Sequence, residues 1–509
     1  MPGIPEKPTL DGLEERWAER WDTDGTYRFD RSRPRSEVFS IDTPPPTVSG
    51  SLHVGHVFSY THTDVIARYR RMRGDEVFYP MGWDDNGLPT ERRVQNHYGV
   101  RCDPSLPYQP GLAAPDRPFE PARALSRRNF VELCHRLTVD DEAAYERLWR
   151  RLGLSVDWSH RYATIDDRAQ RAAQRAFLRN LGRGEAYQQE APVLWDVDFQ
   201  TAVAQAELED RERPAALHRL RFAGEGGPVE IETTRPELVV SCVALVMSPD
   251  DPRAGELVGS TVRSPVFGVE VPVLAHRLAD PEKGTGVAMV CTFGDTTDVV
   301  WWRELGLPTR GVVGRDGRLA ADTPAWLVDA LGRSAYAELA GRRVDQARRA
   351  MVEMLAASGE MASEPRQITH PGKVYEKGES PLEIVTSRQW YLRNGGRDPA
   401  LRAELRRRGA ELAWVPDFMK VRYEHWVDGL AGDWLVSRQR FFGVPFPVWY
   451  PVDDDGRPDH GRPIVADEVD LPVDPASQAP LGYAESQRGV PGGFVADPDV
   501  MDTWATSSL

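Results

Sequence analysis

Cysteine is scarce in this sequence, and the few residues present are scattered. The 509 residues hold four: Cys102, Cys134, Cys242 and Cys291. None forms a CxxC, so neither a zinc ribbon nor a disulfide framework is encoded. No apolar run reaches the ~20 residues that span a bilayer, so no membrane partner is expected. The first seven residues lack the basic and apolar regions of a signal peptide. A cytoplasmic protein is the simplest expectation. Internal repeats and low-complexity tracts are also missing.

What is present describes a globular chain. Hydrophobic residues make up 40% and charged residues 28%, which excludes a disordered chain. The length suggests two or three domains. A net charge of -15 does not exclude nucleic acid, because phosphate binding needs only a local basic surface. Basic clusters lie at 68–73, 147–151 and 402–408. Each suits either a solvated helix face or an RNA contact.

One stretch dominates. Residues 44–56 read Pro-Pro-Pro-Thr-Val-Ser-Gly-Ser-Leu-His-Val-Gly-His, followed by an apolar, helix-compatible run over 57–69. The pattern predicts strand, tight turn and helix, with His53 and His56 in the first helical turn. A helix start offers free N–H groups and a positive dipole end to an anion. Gly55 would let a flat group approach the backbone. A metal-binding histidine pair is the alternative for the two imidazoles alone. Residues 78–91 read Phe-Tyr-Pro-Met-Gly-Trp-Asp-Asp-Asn-Gly-Leu-Pro-Thr-Glu. Strands at 38–41 and 76–79 make this a βαβ unit, with both motifs at strand ends, where open parallel sheets bind ligands.

Further along, residues 1–36 suggest a helical lead-in, with Leu13, Trp17 and Trp21 at helical spacing. Residues 101–123 are proline-rich and predict a surface excursion. A helical pattern runs over 126–181. Short β-like runs follow at 216–222, 229–233, 239–247, 261–273 and 286–291, so 190–345 reads as a separate β-rich domain. The expected division is therefore 1–36, 37–189, 190–345 and 346–509. The fold class is α/β: a Rossmann-like parallel sheet core interrupted by a β-rich insertion.

The two motifs together resemble the first catalytic half of class I aminoacyl-tRNA synthetases of the valyl, isoleucyl and leucyl group. The spelling is most similar to the valyl branch, and the resemblance runs from about residue 13 to 509. It implies ATP with Mg2+, valine and tRNA(Val) as reactants, and a monomer. His53 and His56 would contact the ATP phosphates, and Gly55 would make room for adenine. Thr47 and Ser49 would donate to phosphate or cap the turn. Asp84 would bind the substrate α-ammonium, or else cap the helix after it. Pro45 and Pro46 would wall the valine side chain. Phe442 and Trp504 lie in motifs that border the amino-acid pocket in relatives, where tryptophan is common at the Phe442 position. Some relatives carry a zinc CxxC in the insertion; here residues 195–200 hold no thiol, so no structural zinc is expected.

The 190–345 block resembles an editing domain. A hydrophobic pocket rejects an added hydroxyl only ~10²-fold, a limit for which valyl enzymes discriminating against threonine are the usual illustration. By resemblance, Thr233 and Thr234 would orient the ester or its attacking water, and Arg235 would contact the terminal tRNA nucleotide. Asp295 would read the threonine hydroxyl and Asp298 the α-ammonium. A solvated loop with two acids is the alternative for the aspartates. Relatives often spell that loop Pro-Ala-His-Asp-Pro-Asn-Asp, unlike the Thr-Phe-Gly-Asp-Thr-Thr-Asp at 292–298.

The second class I signature, Lys-Met-Ser-Lys-Ser, does not occur, nor does a helical anticodon-binding domain. The expectation is a C-terminally truncated synthetase that activates valine poorly. The alternatives are editing alone, isoleucine specificity, or a non-catalytic remnant that binds RNA or nucleotide. Asp85-Asn86 after Asp84 argues against isoleucine, and retention of His53, His56 and Asp84 argues against a remnant.

Overall fold

The computed structural model describes residues 9–50, 52–291 and 294–508. Ser51 of the histidine motif, Thr292 and Phe293 of the acidic loop, and Leu509 lie outside them. Two compact units emerge: Met1–Ala186 with Val436–Leu509, and Tyr187–Leu435.

In the first unit, α1 (Leu13–Asp24) ends at Gly25 in the left-handed region, where a side chain would be strained. Strands β1 (Val38–Ser40) and β2 (Glu76–Phe78) pair in parallel, with α2 (Val54–Met72) between them. Parallel neighbours require such a crossover. Next come β3 (Gly82–Trp83), α3 (Leu88–Tyr98), β4 (Val100–Cys102), β5 (Arg123–Leu125) and α4 (Arg127–Arg151). Residues 103–122 carry neither helix nor strand. The helical pattern expected over 126–181 is broken at Gly153, which has φ 72. The break lets β6 (Tyr162–Ala163) pair in parallel with β3 before α5 (Asp167–Gly182) begins.

The second unit contains β7 (Ala186–Asp196), β8 (Thr201–Ala202), β9 (Leu208–Gly224), β10 (Val229–Thr233), β11 (Ala244–Met247), α6 (Ala254–Leu257), β12 (Thr261–Arg263), β13 (Glu270–Ala275) and β14 (Val287–Val290). Two expected strands come out differently. Pro236 opens a 3₁₀ turn over Pro236–Ser241 before β11. The 261–273 run folds into a hairpin whose turn holds Val266 and Gly268 at positive φ. Then follow α7 (Thr296–Glu304), α8 (Ala330–Ala337), α9 (Val344–Ser358), β15 (Arg366–Tyr375), β16 (Glu383–Leu392), α10 (Pro399–Ala410), α11 (Met419–Asp428) and β17 (Trp434–Leu435). The unit extends well past residue 345. The reason is β15, which pairs antiparallel with β9 along its full length, Arg366 opposite Leu217 through Tyr375 opposite Leu208. Strands β16 and β17 join β7 and β8 in a second sheet.

The first unit is completed by β18 (Ser437–Arg438), β19 (Val448–Pro451), β20 (Ile464–Val465), β21 (Phe494–Ala496), β22 (Val500–Met501) and α12 (Thr503–Thr506). Its core packs Tyr79, Trp83 and Trp149 in one cluster and Val94, Phe130, Leu133 and Phe442 in another. The architecture is mixed α/β with parallel pairs and a β-rich insertion. The basic clusters are engaged internally: Arg68 with Asp64, Arg150 with Asp22, and Arg407 with Glu404 and Glu411. Among the described residues no helix is long and apolar enough to cross a membrane.

Candidate functional site

Backbone pairing joins the two motifs of the first unit. Asp84 N–H donates to Pro46 O at 2.9 Å, and Val48 N–H donates to Asp84 O at 3.3 Å. The Pro46–Val48 strand therefore runs parallel to Asp84, at the carboxyl ends of β1 and β3. Pro46 is buried and Pro45 half-buried. Tyr60 Oη donates to Pro44 O at 2.6 Å and helps hold the proline run in place.

His53 does not lie within the helix as expected; it caps it. Its Nδ1 accepts the Gly55 N–H at 3.2 Å, and His56 Nδ1 takes a longer 3.5 Å bond from His53 N–H. A cap residue keeps extended φ/ψ while its side chain satisfies an orphan donor. The rings stack with centroids 3.9 Å apart. A neutral imidazole whose Nδ1 accepts must carry its proton on Nε2. Partial burial, and then the neighbouring His53, lower the His56 pKa, which favours the neutral ring. Gly55 lies over the His53 ring, where an added Cβ would fall 3.0 Å from Cε1 and Nδ1. Since His53 is the cap, neither Thr47 nor Ser49 caps this helix. Thr47 is exposed and Ser49 half-buried.

Asp84 does not cap the next helix either; that position is Gly87. Its Oδ1 accepts the Thr164 hydroxyl at 3.1 Å. The adjacent Asp85 is fully buried, and its carboxyl shares a side-chain hydrogen bond with that of Glu142. Burial, and then the nearby Glu142 carboxylate, raise its pKa. Sequence pattern missed Thr164 and placed Tyr145 only as an apolar helix position. Tyr145 packs edge-on against His56 and Trp83, and its Oη donates to Thr47 O at 3.3 Å. Both act across 62 or more positions of chain, and no local pattern reports that.

Phe442 is buried in the core beside Val94 and Phe130, edge-on to His135 at 5.2 Å. Trp504 is 54% exposed on α12. One side chain thus faces the core and the other the surface. The neighbouring motifs are nonetheless tied. Glu91 accepts from Phe441 and Phe442 N–H, and Arg438 donates to Asp502 at 2.8 Å.

The second unit gathers the other predicted residues near the ends of β10 and β14. Thr233 Oγ1 accepts the Arg235 N–H at 3.0 Å, and Thr234 is half-buried beside it. Arg235 is held by ion pairs within its own unit. Its guanidinium bridges Glu237 and Glu383 at 2.7 Å each, and Arg348 completes the pairing of the fully buried Glu237. Burial works against the Arg235 charge, but the two carboxylates outweigh it and raise its pKa. Asp295 is exposed and caps α7, its Oδ1 accepting Thr297 and Asp298 N–H. Asp298 is buried, so it is not a solvated loop acid. Its Oδ2 accepts from Cys291 and Gly294 N–H at 3.1 Å. Burial, and then Asp295, push its carboxyl up to about 8. Gly294 is obligatory, since a Cβ there would sit 2.3 Å from Asp298 Oδ2. Among the described residues no group of His, Cys, Asp and Glu is placed to hold a metal.

A family model described as "tRNA synthetases class I (I, L, M and V)" matches residues 16–509. This chain belongs to that family. Similar curated proteins are the valine–tRNA ligases of Thermobifida fusca, Salinispora tropica and Cutibacterium acnes. They are 67%, 64% and 62% identical to it over 99% of its length. The chain spans 58–59% of the length of those three ligases. Among solved structures, the ternary complex of Agrobacterium radiobacter K84 LeuRS with tRNA and LeuAMS covers 97% of this class I chain and 58% of its own. Its TM-score is 0.43 and its identity 19%, a likeness too loose to carry residue roles.

Proposed function

We propose that this class I synthetase chain forms valyl-adenylate from valine and ATP, as part of ligating valine to tRNA(Val). A valine carboxylate oxygen attacks the α-phosphorus, the bond to the bridging oxygen breaks, and pyrophosphate leaves with its electrons. Little covalent work falls to the protein, so catalysis rests on positioning and charge stabilisation. The observation that carries the proposal is the pairing of Pro46–Val48 with Asp84. It sets an apolar wall and a carboxylate beside the capped histidine turn. Asp84 pairs with the α-ammonium. The Nε2–H groups of His53 and His56 donate to the phosphates from a helix N-terminus. Gly55 leaves the turn without a side chain where the nucleotide approaches. Mg2+ arrives with the ATP phosphates.

The test is amino-acid-dependent ATP–pyrophosphate exchange with valine, isoleucine and threonine. Exchange strongest with valine supports the proposal; exchange preferring isoleucine overturns the specificity.

For the second unit, the buried Asp298 supports a hydrolytic site for threonyl-tRNA(Val). Water adds to the ester carbonyl, the bond to the ribose oxygen breaks, and that oxygen takes a proton from the water as threonine is released. Asp298 meets the α-ammonium, Asp295 the threonine hydroxyl, and Thr233 and Thr234 orient the ester or its attacking water. Arg235 acts there through its ion pairs, holding the loop, rather than through RNA. Deacylation unchanged in Asp298→Ala overturns this role.

A further inference from the structure

Thr164 sits just beyond β6, 1% exposed, with its N–H donated to Trp83 O at 2.9 Å. Its hydroxyl meets three groups. It accepts the Asp85 backbone N–H at 3.2 Å and the Asn86 side-chain amide at 3.1 Å, and it approaches Asp84 Oδ1 at 3.1 Å. A hydroxyl has one hydrogen and two lone pairs. Both lone pairs are taken by N–H donors, and burial excludes water from competing. The single O–H is therefore committed to Asp84. Asn86 is pinned in turn, because its amide also donates to Thr506 Oγ1 at 2.9 Å. Thr506 sends its own hydroxyl proton to Thr503 O at 3.2 Å.

We infer that Thr164 is the positioning residue for amino-acid recognition: its hydroxyl fixes the Asp84 carboxylate in the orientation that receives the substrate α-ammonium. The inference rests on the role proposed above for Asp84. Asn86 and Thr506 set which way the Thr164 proton points, which gives the Asp-Asp-Asn turn a physical purpose. Asp84 takes the ammonium, Asp85 lends its backbone N–H, and Asn86 orients the hydroxyl.

The test is calorimetric titration of the 509-residue chain with valine and with 3-methylbutanoate, the same acid without its amine. Thr164→Val keeps the shape and loses the hydroxyl; Thr164→Ser restores it. Expected is a valine Kd at least about tenfold weaker in Thr164→Val and within about threefold of the parent in Thr164→Ser, since only charge-assisted bonding is lost. The 3-methylbutanoate affinity stays unchanged in both. Asp84→Asn weakens valine similarly, and the double variant is no weaker than the worse single one, as residues acting through one contact are non-additive. Equal weakening of valine and 3-methylbutanoate by Thr164→Val overturns the inference, as does additivity or failure of serine to restore binding. If Asp84→Asn itself leaves valine binding intact, or the parent chain binds no valine, the underlying role of Asp84 fails. If Asp84→Asn weakens binding while Thr164→Val does not, only the positioning role fails.

Discussion

Glu91 Oε1 accepts the backbone N–H of Phe441 at 2.6 Å, across 350 residues of chain. The same oxygen accepts Phe442 N–H at 2.9 Å. One carboxylate, 2% exposed, thus joins the Asp84 motif to the later Arg-Phe-Phe-Gly stretch. Burial raises the Glu91 pKa, and the Arg440 charge opposes that rise.

Removing Glu91 orphans two N–H groups at once. Each buried unsatisfied donor costs about 1–3 kcal/mol. Glu91→Ala should therefore lower the urea midpoint of the first unit far more than Glu91→Gln, whose amide oxygen still accepts. Equal midpoints for the two variants would show that the bonds contribute little.

The histidine turn separates capping from catalysis. His53→Asn keeps a side-chain acceptor for the Gly55 N–H but loses the outward Nε2–H. Its helix should hold while valine-dependent pyrophosphate exchange falls by about 10²–10³, the usual loss for one oriented donor. His53→Ala should lose the same activity and about 1 kcal/mol of stability as well. Exchange undiminished in His53→Asn would remove His53 from phosphate stabilisation.

These contrasts show where the sequence was legible. His53, His56 and Asp84 stand in short local motifs, and helix and strand signals place such motifs directly. Thr164 carries no local mark, and Glu91 closes the Asp84 motif without any sign of what it holds. Their importance comes from partners 78 to 351 positions away, brought close only by β3 pairing with β6 and by the return of 436–509 to the first unit. The end of the inserted unit was hidden for the same reason. Nothing at residues 366–375 announces that they complete a sheet begun at 208. The ion pairs of Arg235 were only half legible: Glu237 closes the Glu-Thr-Thr-Arg-Pro-Glu motif itself, whereas Glu383 lies 148 residues on.

Arg235 should accordingly behave as a structural ion-pair hub. Arg235→Ala leaves Glu383 without its cation and Glu237 with Arg348 alone. Breaking a buried pair by removing one partner costs roughly 3–5 kcal/mol. Since the Arg235 side chain keeps 21% exposure, the lower end is expected, read as the thermal unfolding of the second unit. Arg235→Lys should recover only part of this, because an ammonium cannot fork between two carboxylates. A Lys variant as stable as the parent would contradict the bridge.

Asp298 gives the second unit a pH dependence whose sign follows from its burial. An unfolded aspartate titrates near ~3.9, whereas the folded Asp298 carboxyl titrates at about 8. Between those values the folded protein holds a proton that the unfolded chain has released. Stability is therefore full below about pH 4, declines as pH rises through 8 and levels off above it, a loss of several kcal/mol at most. Asp298→Asn removes the titration while keeping an oxygen to accept Cys291 and Gly294 N–H. The parent should lose roughly several degrees more in melting temperature than the variant between pH 5 and 8.5, provided no ammonium ligand is present. A cation bound beside Asp298 would reverse the trend, because it favours the carboxylate. Free threonine, still an ammonium at pH 8, should thus protect the parent there and leave Asp298→Asn unaffected. Parallel melting curves for parent and variant would show that Asp298 does not titrate in this range and holds no buried proton for an incoming ammonium to displace.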